Sequence, residues 1–177
     1  AGTWYVKATV EETDNYVGGS ATQEFTIAKK ALTITADSDT KAYDGTELTK
    51  NSYTATELAT GDALASVTIT GTQTDAGSSA NVASAAVIKK GDVDVTSNYE
   101  ITYTDGTLTV TKATTNTVTV AIEGWTYGDV AKNPSSTATF GTASYTYSDA
   151  VDGTYAVAVP GTAGTWYVKA TVEETDN

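Results

Sequence analysis

The chain has 177 residues, with ten lysines and no arginine against 22 Asp and Glu, for a formal charge of −12. So acidic a surface opposes nucleic acid and anionic membranes. The lack of Cys and His rules out disulfides, the usual nucleophile–base triads and nitrogen or sulfur metal sites.

Taken in chain order, the elements read as strands throughout. Thr makes up about one residue in five, and with Val, Ile and Tyr it suits the pleated, half-buried surface of a sheet. Phe25/Ile27, Leu32/Ile34, Val67/Ile69, Leu108/Val110, Val118/Val120/Ile122 and Tyr155/Val157/Val159 each alternate with polar neighbours, the mark of a strand with one buried face. Turn signals separate them at Gly18-Gly19, Asp44-Gly45, Gly61-Asp62, Asp105-Gly106, Gly128-Asp129 and Asp152-Gly153. Asp105-Gly106 between Ile101/Tyr103 and Leu108/Val110 predicts a tight hairpin, because Asp-Gly supplies the positive φ such a turn needs. Residues 57–64 make at most one short helical turn. In the last run, Trp166, Val168, Ala170 and Val172 fall on one face and are expected inside, with Thr165, Tyr167, Lys169 and Thr171 opposite. The class is all-β: tandem small antiparallel β-sandwich (Ig-like) modules, with a β-grasp-like sheet as the alternative arrangement.

A direct repeat organises the chain. Residues 1–15 read AGTWYVKATVEETDN, and residues 163–177 repeat them without a change, at an offset of 162 residues. A weaker likeness links residues 13–31 to 96–113: each runs from Asn-Tyr to a Thr-x-x-Lys ending, with Asn15 to Lys29 spaced as Asn98 to Lys112. The modules this implies are 1–30, the C-terminal part of a B-type module; 31–112, a complete A-type module; and 113–177, a B-type module lacking its last strand. Few residues separate one module from the next, which predicts a rod more than a string of beads.

Two family resemblances follow from these motifs. Residues 32–112, with Lys41-Ala42-Tyr43-Asp44-Gly45-Thr46, the run 61–67 and the closing Thr107-Leu108-Thr109-Val110-Thr111-Lys112, resemble the Tyr-Asp-Gly-type repeats of Gram-positive surface proteins. The stretch from Val118, with Trp125-Thr126-Tyr127-Gly128-Asp129, Tyr145-Thr146-Tyr147-Ser148 and the run 163–170, resembles bacterial Ig-like repeats of the Tyr-Gly-x (MBG) kind. The resemblance implies an extracellular stalk repeat of a cell-wall-anchored adhesin. The competing function is a binding module for a host glycan or protein, and neither is an enzyme.

Candidate sites are few, and none is expected to be catalytic, to bind a cofactor or to hold a resident metal. Asp37, Asp39, Asp44 and Glu47 around one turn, and the pair Asp92 and Asp94, offer the hard oxygen ligands calcium takes; neither spacing matches a known calcium loop, and solvated turn acids are the plainer reading. Thr-x-Thr at 33/35, 68/70, 102/104, 109/111 and 117/119 is too irregular in spacing for a flat hydroxyl array. Lys29 and Lys112 at module ends, with recurrent Asn15, Asn98 and Asn177, raise a Lys–Asn cross-link, though Asn-Tyr more simply marks a turn before a core aromatic. Tyr5, Tyr145, Tyr147 and Tyr167 are the aromatics that would stack on a sugar.

The expected partners are neighbouring repeats of the same protein, with no nucleic acid and no membrane insertion. No apolar run approaches the roughly 18 residues of a membrane span, and no signal-peptide pattern opens at residue 1, as expected of an excerpt. A module lacking its last strand has an open sheet edge, and the strand that fits it, carrying Phe25 and Ile27, lies near residue 1. Head-to-tail strand exchange between chains is therefore expected.

Overall fold

The computed structural model describes residues 1–177, in two compact units, Ala1–Thr111 and Lys112–Asn177. The fold is all-β, as expected, with one 3₁₀ turn at Thr96–Asn98. The body of the first unit comprises β3 (Lys30–Ala36), β4 (Asp39–Ala42), β5 (Tyr53–Ala55), β6 (Ala63–Thr70), β7 (Gly77–Lys90), β8 (Val93–Asp94), β9 (Tyr99–Thr104) and β10 (Gly106–Thr111). They form a three-stranded sheet in the order β5-β3-β9 and a five-stranded sheet in the order β4-β10-β7-β6, with β8 paired to β7. The run 57–64 has no helix: it holds a turn closed by the Asp62 N–H on the Ala59 carbonyl at 3.0 Å, and its last two residues already belong to β6.

Two of the pairings are parallel, and one offset governs both. Thr35 faces Thr104 in the first sheet and Asp39 faces Leu108 in the second, 69 positions apart in each case. β3–β4 and β9–β10 are thus two ribbons lying side by side that bend together from one sheet into the other, the way sandwich corners are made. This corrects the hairpin predicted at Asp105-Gly106: β9 pairs with β3, β10 pairs with β4 and β7, and the two do not pair with each other. Gly106 is needed for a different reason. Its φ is not positive, but a Cβ there would collide with the carbonyl oxygens of Asp37 and Ala36. Across the same bend the Thr107 N–H donates to Ser38 Oγ at 2.9 Å.

Alternation along β3 puts Leu32, Ile34 and Ala36 inside, where they pack with Ala83, Ala86, Ile88 and Tyr99. Burying each large apolar side chain contributes about 1.5–3 kcal/mol. The inward residues of β7 are three apart at Ala83 and Ala86, because the strand carries a bulge. Ala85 adopts φ +50, and the register against β6 shifts beside it, so one extra residue is absorbed and the apolar face is kept. Tyr99 is anchored at its phenol end: its O–H donates to the Asp62 carboxylate at 2.7 Å and accepts the Ala59 N–H at 2.9 Å. Burial, the largest influence, raises its pKa. A second cluster joins Leu48, Leu108 and Val110, with Tyr43 against it. At the bend Asn81 is fully buried, and its Nδ2 donates to the carbonyls of Asp37 and Lys50, each at 2.8 Å. Nothing in the hydrophobic pattern announces that residue; it satisfies one carbonyl at the bend between β3 and β4 and one in the segment that leads into β5.

Residues 1–30 are different in kind. β1 (Gly2–Val10) and β2 (Gly19–Ile27) form a two-stranded antiparallel sheet of their own, pairing from Gly2↔Ile27 to Val10↔Gly19. The turn is at Asp14 and Asn15, inside the Thr13↔Tyr16 bridge, and not at Gly18-Gly19 as the turn signals predicted. Alternation places Trp4, Val6, Val10, Phe25 and Ile27 on one face, as the pattern requires. That face is exposed throughout, Trp4 at 54 % and Phe25 at 46 %.

The second unit holds β11 (Val118–Ala121) paired with β12 (Ser135–Ala138), and β13 (Ala143–Ser148) paired with β14 (Tyr167–Val172). Only Tyr147 and Ser148 in it are buried. The predicted strand Tyr155/Val157/Val159 is absent: Ala156 makes a single bridge to Tyr147, and Val157 is exposed. The expected core face of the last run is half right. Val168, Ala170 and Val172 are half-buried with Lys169 exposed between them, but Trp166 is 39 % exposed. It lines an open cleft, so the alternation sets its direction without burying it.

Candidate interaction surfaces

Of the acidic residues weighed as calcium ligands, Asp37, Asp39, Asp44 and Asp94 have partners of their own. No three acidic side chains stand where a metal ion would be held. Asp44 closes its own turn: it accepts the Lys41 ammonium at 2.7 Å, the Thr46 hydroxyl at 2.7 Å and the Thr46 N–H at 2.9 Å, while Gly45 turns the chain at φ +78. Asp37 accepts the Ser52 hydroxyl at 2.6 Å, and Asp39 lies 3.5 Å from Lys50. Asp94 accepts the Thr96 N–H at 2.8 Å, and hydrogen bonds from Thr96 lower its pKa.

The Asp44 carboxyl is held well below the usual carboxylate range, first by the hydrogen bond from Lys41 and then by those from Thr46. A depressed folded pKa means the turn is supported above the ordinary value of 3.8 and loses that support as pH falls below it. An NMR titration of the Asp44 carboxyl carbon is expected to show this low midpoint, and Lys41→Met is expected to move it upward. An unchanged midpoint in Lys41→Met would refute the assigned cause.

The remaining candidates scatter. The Thr-x-Thr pairs lie on or beside β3, β6, β9, β10 and β11, in three different sheets, so they form no flat array. Lys112 donates to Glu174 at 2.8 Å, and Asn98 accepts the amino group of Ala1.

The second unit contains one cleft with chemical character, of about 590 Å³, lined by Trp125, Tyr127, Tyr147, Trp166, Tyr167 and Val168 among others. Of the four tyrosines singled out as sugar platforms, Tyr147 and Tyr167 line it. Tyr145 instead shares a hydrogen bond with Ser136 at 2.8 Å, and Tyr5 is on the β1–β2 hairpin. Trp125, Tyr127 and Trp166 were not read as surface aromatics; the Trp125-Thr126-Tyr127-Gly128 motif was the available signal.

These features define an all-β chain whose largest body runs from β3 to β10. Residues 32–109 match the family model of the MBG domain (YGX type), the kind of surface-protein repeat the motifs suggested. MBG domains are repeats of surface proteins, and the match is consistent with a structural repeat of that kind. The match begins in β3 and ends in β10, on the residues whose motifs resembled Tyr-Asp-Gly repeats; the Tyr-Gly-x resemblance had been placed on the stretch from Val118. No curated protein and no solved structure matches the chain. No helix is long and apolar enough to cross a membrane.

Proposed function

We propose that the chain is a stalk segment of a cell-wall-anchored bacterial adhesin, in which tandem modules hold a distal binding region away from the cell. The observation that carries this reading is the direct repeat: residues 1–15 return unchanged at 163–177, on either side of a module from a surface-repeat family. Connections are short, with two residues between β2 and β3, which limits independent motion. The high negative charge keeps neighbouring stalks apart and soluble. Small-angle scattering on chains of one, two and three 162-residue periods tests it. Length should rise in proportion to repeat number at constant cross-section, and a cross-section that grows with repeat number would overturn the stalk.

A second reading, an adhesive module recognising a host glycan or protein, is favoured by the aromatic cleft around Trp125 and Trp166, since sugars stack on such rings. A glycan array probed with the intact chain decides it; the absence of specific signal retires the glycan form of this reading.

A further inference from the structure

The chain enters and leaves the central module along two ribbons that lie side by side. It comes in on β3 and bends into β4; it goes out along β9 and bends into β10. Residues 99–111 run parallel to residues 30–42 at a constant offset. Six pairs extend from Lys30↔Tyr99 to Thr35↔Thr104, and four from Asp39↔Leu108 to Ala42↔Thr111. The entry residue therefore stands at the start of one ribbon, and the exit residue at the far end of the other. Antiparallel first and last strands would put both at the same end.

That difference decides how the module meets a pull along the chain. Tension drawn backward on Lys30 and forward on Thr111 slides one ribbon along the other, and sliding strains every pair at once. Tension applied to two strands at a shared end opens the pairs one after another. Hydrogen bonds in a parallel ladder are evenly spaced, so the strain is shared along it. Forced unfolding is a matter of rate, and the rate falls as more bonds must break together.

Three contacts reinforce the ribbons where the ladder is interrupted or ends. At the bend, between the two sets of pairs, the Thr107 N–H donates to Ser38 Oγ at 2.9 Å. At the exit, the Tyr43 N–H donates to the Thr111 carbonyl at 2.8 Å, and the Thr111 hydroxyl to the Lys41 carbonyl at 3.3 Å. Gly106 also fixes the register, because the space against the carbonyls of Asp37 and Ala36 admits no Cβ. A slip by one residue would bring Asp105 or Thr107 into that space.

We propose that residues 30–42 and 99–111 form a shear clamp, the element by which the module withstands tension along the chain. The stalk reading supplies the tension, and the clamp rests on that reading for its purpose. Its geometry lies wholly within residues 30–111.

Single-molecule force spectroscopy on the intact chain tests it, with handles on cysteine pairs placed in a chain that has none. Lys29, Ser97 and Lys112 are exposed, so handles there disturb no core. K29C/K112C pulls along the natural path and shears the ribbons. K29C/S97C pulls on the β3–β9 ladder from one end and peels it from Lys30↔Tyr99. At equal loading rate, K29C/K112C is expected to unfold at a several-fold higher force. Equal forces in the two directions, or a higher force for K29C/S97C, would overturn the clamp. The stalk fails separately. A scattering cross-section that grows with repeat number, beside a high shear force, removes the stalk and keeps the clamp. Length in proportion to repeat number, beside equal forces, removes the clamp and keeps the stalk.

Discussion

Leu108→Ala should lower the stability of the central module by about 2–5 kcal/mol, while Phe25→Ala at the equivalent position of β2 should change it by less than about 0.5 kcal/mol in dilute solution. Both residues sit opposite the strand that opens Ala-Gly, in the same register. Leu108 is enclosed with Leu48 and Val110, so truncation leaves a cavity that this small cluster cannot close. Phe25 lies half-exposed opposite Trp4 on the β1–β2 hairpin, so its truncation leaves no cavity in the central module. Since small domains typically unfold at a cost of only about 5–15 kcal/mol, the Leu108 variant should melt far below the wild type. Urea unfolding followed by circular dichroism is the suitable measurement, because the three tryptophans, at positions 4, 125 and 166, all lie outside the family-matched module. Equal losses from the two substitutions would mean that the β1–β2 hairpin packs against something in solution even as a monomer.

Gly106→Ala should cost on the order of 3 kcal/mol, the upper part of the range for forcing extra volume into a packed site. The obstacle is main chain, since the new methyl would meet the carbonyls of Asp37 and Ala36. Neither can retreat without parting the two ribbons at their shared bend, where Thr35↔Thr104 and Asp39↔Leu108 continue the pairing on either side. Gly45→Ala is the informative contrast. At Gly45 there is open space, but φ is +78, so the penalty is the left-handed backbone alone, about 1–2 kcal/mol. Thermal unfolding of the two variants should therefore separate them, Gly106→Ala melting lower. If Gly106→Ala melts with the wild type, the ribbons do not approach so closely.

The class of fold was legible because strand alternation is a local property. Leu32 and Ile34, Val67 and Ile69, and Leu108 and Val110 point inward as their spacing requires. The repeat was legible too, since identity at fifteen positions needs no structure. Pairing was not. Asp105-Gly106 has the chemistry of a hairpin turn and serves as a crossing between sheets, because partner choice for β9 and β10 is settled by β3 and β4, some 69 residues upstream. Asn81 was invisible for the same reason: the carbonyls it satisfies belong to Asp37 and Lys50, which only the bend brings together. Trp166 and Phe25 show the remaining limit. Alternation decides which way a side chain points, but burial needs a second layer to arrive, and only the tertiary structure decides whether one does.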